Sequence, residues 1–182
     1  MLETVDLFPS KFFSFQFTDT EILQSIVEEV YSKKEKMTAT SWAQGGGKSE
    51  DNYVTDYKNP QKIESFEVAF SQVLNALEQI NLQYEMTRYW TALYKKFSIH
   101  ELHEHNGGIL QPINYSGILY LSDVGLTEFF THNPSSFTNN VRIPSQYGRV
   151  ILFPASIPHQ VITDFDFNVE RCVIAFNGIM RQ

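Results

Sequence analysis

The chain has 182 residues, of which 42% are hydrophobic and 19% charged, so it suffices for one domain with a buried core and is short for two. Its formal net charge of −7 argues against general binding to the polyanionic backbone of nucleic acids. The single cysteine, Cys172, excludes an intramolecular disulfide, and no apolar run approaches the ~20 residues that a membrane helix needs.

The first residues predict a strand followed by an amphipathic helix. Residues 1–16 alternate loosely between apolar and polar side chains, which is typical of a strand. Thr18 and Glu21 have the spacing of a capping box, so we expect a helix to begin here with Thr18 as its cap. Its apolar face follows at helical spacing and comprises Ile22, Leu23, Ile26, Val27, Val30 and Tyr31.

A long polar segment separates this helix from a second one. Residues 38–58 include a run of glycines and show little periodicity, so they predict a long loop that is either a lid or disordered. Asn59 and Pro60 predict the cap and the first turn of the second helix. Its buried stripe is expected to comprise Ile63, Phe66, Phe70, Val73, Leu74, Leu77 and Ile80.

From about residue 84 the sequence becomes rich in β-branched and aromatic residues. Short apolar segments predict strands at 84–97, 116–122, 127–132, 149–154, 159–163 and 170–177. Turn-forming residues separate them at 106–108, 122–123, 133–136 and 146–148. We expect a mainly β sandwich or barrel over 84–182, and a helical support with its polar loop over 1–83 packed on one sheet. Together they would form a single domain over 1–182.

Three histidines and two glutamates crowd into the segment 100–105. Alternate residues of a strand share a face, so Glu101, His103 and His105 are expected to point one way and His100 the other. Two imidazoles at this spacing, whose Cβ atoms lie ~6.6–7 Å apart, can converge on one metal ion. A third candidate ligand, His159, follows an apolar strand and a proline-bounded loop.

Arg171 opens the last predicted strand among apolar neighbours. A guanidinium is costly to bury without an anionic partner, and a ligand carboxylate would supply that partner. Cys172 alternates away from Arg171 on the same strand, so we expect it to pack in the core.

These residues resemble the catalytic core of the 2-oxoglutarate- and Fe(II)-dependent oxygenases, over the stretch 90–177. The resemblance is strongest to the prolyl-hydroxylase-like branch and to short oxygenases of bacteria and phages. It implies a double-stranded β-helix, also called a jelly roll and cupin-like. It also implies that His103 and His159 bind iron, that Arg171 and Tyr120 grip 2-oxoglutarate, and that Tyr94 lines the cosubstrate pocket.

The second metal ligand departs from the family pattern. Most members have a carboxylate two residues after the first histidine, and this chain has His105 there. If His105 is the ligand, the site has three histidines and one negative charge fewer than a site with the usual carboxylate. Glu101 remains the second choice, since it would keep two histidines and one carboxylate in reversed order.

The resemblance implies an iron dioxygenase that hydroxylates a substrate carbon and releases succinate and CO2. Alternatives are a three-histidine cupin-type dioxygenase that does not use 2-oxoglutarate, and an inactive β-barrel binding module. We expect a small-molecule cosubstrate, a substrate that is a small molecule or a peptide, and no nucleic-acid or membrane partner. The first residues lack a basic segment before an apolar one, so we expect a cytoplasmic location, in the host if the gene belongs to a phage.

Overall fold

The computed structural model describes residues 2–7, 10–39, 53–95, 98–105, 113–130, 140–163 and 169–181. It contains two helices, α1 (Thr20–Ser32) and α2 (Glu64–Glu78), and a short 3₁₀ turn at Lys34–Lys36. Its strands are β1 (Leu2–Leu7), β2 (Ser10–Gln16), β3 (Thr38–Ala39), β4 (Tyr53–Thr55), β5 (Gln83–Tyr94), β6 (Ile99–His103), β7 (Tyr115–Tyr120), β8 (Leu126–Phe130), β9 (Asn140–Pro144), β10 (Arg149–Pro154), β11 (His159–Ile162) and β12 (Arg171–Arg181).

The strands form two antiparallel sheets. The larger sheet has the order β1-β2-β10-β7-β12-β5-β4-β3, and the smaller one has the order β6-β11-β8-β9. Successive strands from β5 to β12 divide between the two sheets, as in a double-stranded β-helix, which confirms the predicted fold class. The predicted division of the chain near residue 84 falls at the start of β5, and the single-domain assignment stays a prediction.

Side chains of the larger sheet alternate between its two faces, and each face contributes to a separate hydrophobic core. On its outer face, apolar side chains such as Leu93, Leu119 and Ile174 pack against both helices. On its inner face, side chains such as Tyr120 and Val173 pack against the smaller sheet. Cys172 lies in the outer core, as expected. The predicted helix faces are largely confirmed, although Tyr31 and Ile80 are exposed.

The larger sheet is wider than the sequence indicated. Residues 1–16, predicted to form a strand, contain the hairpin of β1 and β2, and β2 pairs with β10. The ends of the predicted loop 38–58 are not loop, because β3 and β4 extend the other edge of the sheet. Strand β9 was not predicted. Residues 40–52, 106–108 and 133–136, with His132, lie outside the described residues.

Both helix starts differ from the prediction. Helix α1 is capped by Asp19 and not by Thr18, since the Asp19 carboxylate accepts hydrogen bonds from the amides of Glu21 and Ile22 at 3.0 and 3.1 Å. A carboxylate also interacts favourably with the positive end of the helix dipole. Helix α2 does not begin at Asn59, which lies in a turn, its amide bonded to the Asp56 carbonyl at 2.9 Å.

A side chain from α1 caps α2. The Glu29 carboxylate accepts hydrogen bonds from the amides of Glu64 and Ser65 at 2.9 and 3.0 Å, from the Ser65 hydroxyl at 2.7 Å and from Lys33 at 2.7 Å. Partial burial opposes ionisation of Glu29, but these donors prevail and lower its pKa from 4.5 to about 2. The cap therefore holds the two helices together through a charged group.

We expect Glu29→Gln to lower the free energy of unfolding by about 1 kcal/mol at pH 7, because the charge-assisted cap of α2 is weakened. A carboxyl whose pKa is lower in the folded state contributes stability above its unfolded pKa, and this contribution is lost as the pH falls from about 4.5 towards 2. The variant should therefore lose less stability than the wild type over this range. Urea unfolding at several pH values measures both effects, and parallel pH profiles would contradict them.

Neither described helix has the length and apolar character that crossing a bilayer requires.

Candidate metal centre

Three histidines from two neighbouring strands and the segment after β6 converge on the inner side of the smaller sheet. His103 is the last residue of β6 and pairs directly with His159, the first residue of β11. His105 follows β6, and its amide donates a hydrogen bond to the Ala155 carbonyl at 2.8 Å. One ring nitrogen from each histidine lies within 4.8 Å of the other two. The three predicted metal ligands are therefore brought together.

The outward nitrogens of the three rings are all tied to oxygen atoms. His103 Nδ1 lies 2.7 Å from the Glu101 carbonyl, and His159 Nδ1 lies 3.0 Å from the Ile157 carbonyl. His105 Nδ1 lies 2.7 Å from the side-chain oxygen of Asn177. These oxygens only accept hydrogen bonds, so each Nδ1 carries the proton. Each Nε2 then keeps the lone pair that a metal ligand needs.

The three imidazoles are held in the neutral form. Desolvation is the main cause: it lowers the pKa of His103, lowers that of His105 to about 4 and lowers that of His159 well below 6.5. Aromatic rings provide this dry surrounding, since Phe153 and Phe129 lie against His159 with ring centroids 4.9 and 5.8 Å away. Neutral rings can bind a cation without first releasing a proton.

A β-bulge in β6 changes which residues face inward. Across β11, His159 pairs with His103 and Val161 pairs with His100, so three steps along β6 match two steps along β11. The prediction that His100 points away from His103 is therefore wrong: their rings stack at 4.2 Å. Glu101, the second choice as a ligand, has an exposed side chain and lies outside the group of converging ligand atoms.

Arg171 lies at the start of β12 on the inner face of the larger sheet and is fully buried. Its Nε donates to the Ser145 hydroxyl at 3.1 Å and its Nη2 donates to the Thr127 hydroxyl at 3.0 Å. Tyr94 and Tyr120 flank the guanidinium, with ring centroids 5.1 and 5.5 Å from it. These four neighbours are neutral, so within the described part of the chain the buried charge is solvated by hydroxyl dipoles and ring faces.

One nitrogen of this guanidinium has no protein partner. Arg171 Nη1 is buried without a hydrogen bond among the described residues, and no described acid forms an ion pair with Arg171. Burial lowers the pKa of Arg171, although the neighbouring tyrosines oppose the shift, and a guanidinium stays charged even so. An orphaned donor on a buried cation is costly, and an anion supplied from outside would satisfy it.

The two tyrosines predicted at the cosubstrate pocket line the same inner face. The Tyr120 hydroxyl lies 3.0 Å from the Thr127 hydroxyl, which also accepts from Arg171. The Tyr94 hydroxyl lies 3.0 Å from His100 Nδ1. Since His100 stacks on His103, an unbroken series of contacts runs from Arg171 through Tyr94 and His100 to the histidine cluster.

Several residues of this site were missed by sequence reasoning. Thr127, Ser145 and Asn177 are single polar residues in or beside apolar strands, and nothing local marks them as partners of Arg171 or His105. Their alternation pattern offered a weak signal, because Thr127 and Asn177 fall on the inward side of β8 and β12. His100 was missed because a bulge cannot be inferred from alternation.

Comparison with solved structures relates this architecture to known enzymes. A prolyl-4-hydroxylase of Pseudomonas putida superposes with a TM-score of 0.64 and 16% identity, over 94% of this chain and 93% of that one. A prolyl hydroxylase of Trichoplax adhaerens, solved with a hypoxia-inducible-factor peptide, gives a TM-score of 0.66 and 15% identity, over 92% and 83%. The chain has the fold of the 2-oxoglutarate-dependent iron oxygenases.

A third solved structure with this oxygenase fold is a non-haem α-ketoglutarate-dependent epimerase of nogalamycin biosynthesis. It superposes with a TM-score of 0.66 and 12% identity, over 92% of this chain and 76% of the epimerase. No model of a protein family matches the sequence, and no curated protein matches it. The likeness therefore concerns the fold, and the chemistry of this chain depends on the side chains that it places on that fold.

Proposed function

We propose that this chain is a 2-oxoglutarate- and Fe(II)-dependent dioxygenase that hydroxylates a carbon of its substrate. The observation that carries the proposal is the pairing of two features between the two sheets: three converging neutral imidazoles at the smaller sheet, and a buried arginine of the larger sheet with an unsatisfied Nη1. The first suits a divalent transition metal, and the second suits a dicarboxylate that reaches from that metal into the core.

The residues fit iron and its cosubstrate in distinct ways. His103, His105 and His159 would hold Fe(II) through Nε2, because their Nδ1 atoms are bonded elsewhere. When bound, Fe(II) and 2-oxoglutarate supply the activation of dioxygen, with conversion of the cosubstrate to succinate and CO2.

Arg171 would anchor the distal carboxylate of 2-oxoglutarate. Nη1 is free to donate, and Ser145 and Thr127 hold the rest of the guanidinium so that it cannot turn away. Tyr120 shares the Thr127 hydroxyl and so lies within the same polar group. The phenyl rings of Phe129 and Phe153 beside His159 would keep water from the centre.

The substrate is proposed only by class, as a small molecule or a peptide that approaches the histidine cluster. We also propose that the protein acts in the cytoplasm, without nucleic-acid or membrane partners.

Anaerobic addition of 2-oxoglutarate to the Fe(II)-loaded protein tests the proposal. We expect a visible charge-transfer absorption when the keto acid chelates the iron, no such band with succinate, and formation of succinate after oxygen is admitted. His159→Ala serves as the negative control. Iron-loaded protein that develops no band at saturating 2-oxoglutarate would contradict the function.

The all-imidazole ligand set favours a second candidate. A three-histidine cupin-type dioxygenase binds its organic substrate directly on the metal and needs no 2-oxoglutarate, and the described ligand group contains no carboxylate. The same experiment separates the two functions: the cupin-type enzyme would bind iron but give neither the 2-oxoglutarate band nor succinate. The orphaned Nη1 of Arg171 favours the 2-oxoglutarate enzyme.

A further inference from the structure

The three histidines differ in what holds their outward nitrogen. His103 and His159 each donate to a backbone carbonyl two residues earlier, Glu101 and Ile157, which a strand supplies whatever its sequence. His105 instead donates to a side chain on a strand 72 residues away: its Nδ1 lies 2.7 Å from Asn177 Oδ1. The third ligand thus depends on one particular residue.

Asn177 is itself held in place. It is 8% exposed, lies on the inner side of β12, and its Oδ1 also accepts a hydrogen bond from the Ser116 hydroxyl at 2.8 Å. Ser116 is its direct partner on β7, and the pairing of β12 with the neighbouring strand β5 shifts register between Asn177 and Gly178. The Trp90 ring lies 5.6 Å from the His105 ring and limits its movement.

This arrangement fixes the tautomer of His105. Asn177 Oδ1 accepts a hydrogen bond from the Ser116 hydroxyl, so the amide presents its oxygen to His105 Nδ1, which must then carry the proton. The lone pair of His105 is thereby left on Nε2, where a metal ligand needs it. A carboxylate at position 105 would have no tautomer for Asn177 to fix.

We propose that Asn177, oriented by Ser116, is a positioning residue that fixes the Nδ1–H tautomer of His105 and so makes a three-histidine centre possible. The inference rests on the metal site of the proposed function, and not on the use of 2-oxoglutarate. Outer hydrogen bonds to metal-bound histidines typically contribute 10- to 100-fold to metal affinity. We expect the Asn177 contact to contribute within this range, through His105 alone.

Co(II) titration of four proteins tests this dependence, because Co(II) binds such sites in air and reports its coordination by its visible bands. The proteins are the wild type, Asn177→Leu, His105→Asp and the double variant. Asn177→Leu should weaken Co(II) binding roughly 10- to 100-fold in the wild type. In the His105→Asp background, which offers two histidines and a carboxylate, the same change should cost less than about threefold, since an aspartate has no imidazole tautomer for Asn177 to fix.

Rescue and control variants distinguish a positioning role of Asn177 from a purely structural one. Asn177→Asp keeps an acceptor opposite His105, so its Co(II) affinity should stay within about threefold of the wild type. Ser116→Ala leaves the amide in place but frees it to turn, and should weaken binding by less than Asn177→Leu. Thr87→Val is the matched control, because its hydroxyl donates only to the backbone carbonyl of Asn177, at 3.1 Å, and its affinity should be unchanged.

The outcomes bear separately on this inference and on the proposed function. Equal losses from Asn177→Leu in both backgrounds would overturn the positioning role while leaving the metal site intact. A wild type that binds no Co(II) would overturn both the inference and the metal site. If Asn177→Leu does not fold, as judged by circular dichroism, Asn177→Ser takes its place in the cycle with the same expected results.

Discussion

Replacing His159 with alanine is expected to abolish metal binding. His159 is 3% exposed and sits directly opposite His103. Of the three proposed ligands, His159 is the one that lies on β11. Without it two imidazoles remain, which is too few to hold a divalent ion against water. Metal analysis after anaerobic loading with Fe(II) should give about one ion per chain for the wild type and none for His159→Ala.

Thermal unfolding gives an independent measure of the same effect. A metal at a hundredfold excess over its dissociation constant stabilises the folded state by about 2.7 kcal/mol, which corresponds to roughly 5–11 °C for a chain of this size. The wild type should show this rise in Tm, and His159→Ala should show none. His100→Phe is the matched control, since it keeps a ring stacked on His103 but removes a half-buried histidine that is not one of the three proposed ligands. Equal metal content in His159→Ala and wild type would contradict the site.

The second large effect is expected at Arg171. Arg171→Met keeps most of the side-chain volume but removes the donors that would hold the distal carboxylate. A hydrogen bond to a charged group is worth about 1.5–3 kcal/mol, so the loss of the Nη1 donor should weaken 2-oxoglutarate binding roughly 10- to 150-fold. Titration of the charge-transfer band measures this affinity. The Fe(II) content should be unchanged, since Arg171 is not a ligand.

Arg171→Met should also reveal the cost of the buried charge. In the absence of 2-oxoglutarate the guanidinium has no anionic partner among the described residues, and apolar replacements of such groups are often neutral or stabilising. The variant should therefore unfold at a temperature equal to or above that of the wild type. Arg142→Met is the matched control, because Arg142 is 63% exposed and pairs with Glu128 at 2.8 Å. Unchanged 2-oxoglutarate affinity in Arg171→Met would contradict the role of Arg171.

Much of the fold follows from periodic patterns within short segments. The helical spacing of Leu23, Ile26 and Val30 identified the buried face of α1, and the apolar runs after residue 84 identified most strands. These patterns are local, so one sequence contains them. His103, His105 and His159 converge where the spacing and the loop before β11 indicated.

What the sequence did not reveal depends on contacts between distant segments. Glu29 caps a helix that begins 35 residues later, and no local signal distinguishes it from other surface acids. The bulge in β6 turns His100 inward because of its pairing with β11, which alternation within β6 cannot show. Thr127, Ser145 and Asn177 gain their roles only because three separate strands or turns bring them to Arg171 and His105.

The proposed all-imidazole ligand set would have an electrostatic consequence. Three neutral rings would leave the full double charge of Fe(II) uncompensated by protein ligands, whereas a carboxylate would remove one unit. A dianionic cosubstrate would then neutralise the centre. Arg171 adds a further positive charge on the inner face of the opposite sheet, and no described acid pairs with it. The surface is therefore suited to anionic ligands.

Proton NMR of the Co(II)-loaded protein reports on the three proposed histidine ligands one by one. If His103, His105 and His159 bind one ion through Nε2, each keeps an Nδ1–H close to the paramagnetic metal, bonded to Glu101, Asn177 or Ile157. We expect three strongly shifted N–H signals in water that disappear in D2O, and two in His105→Asp. A wild-type spectrum with fewer than three such signals, or one unchanged by His105→Asp, would contradict a three-histidine metal centre.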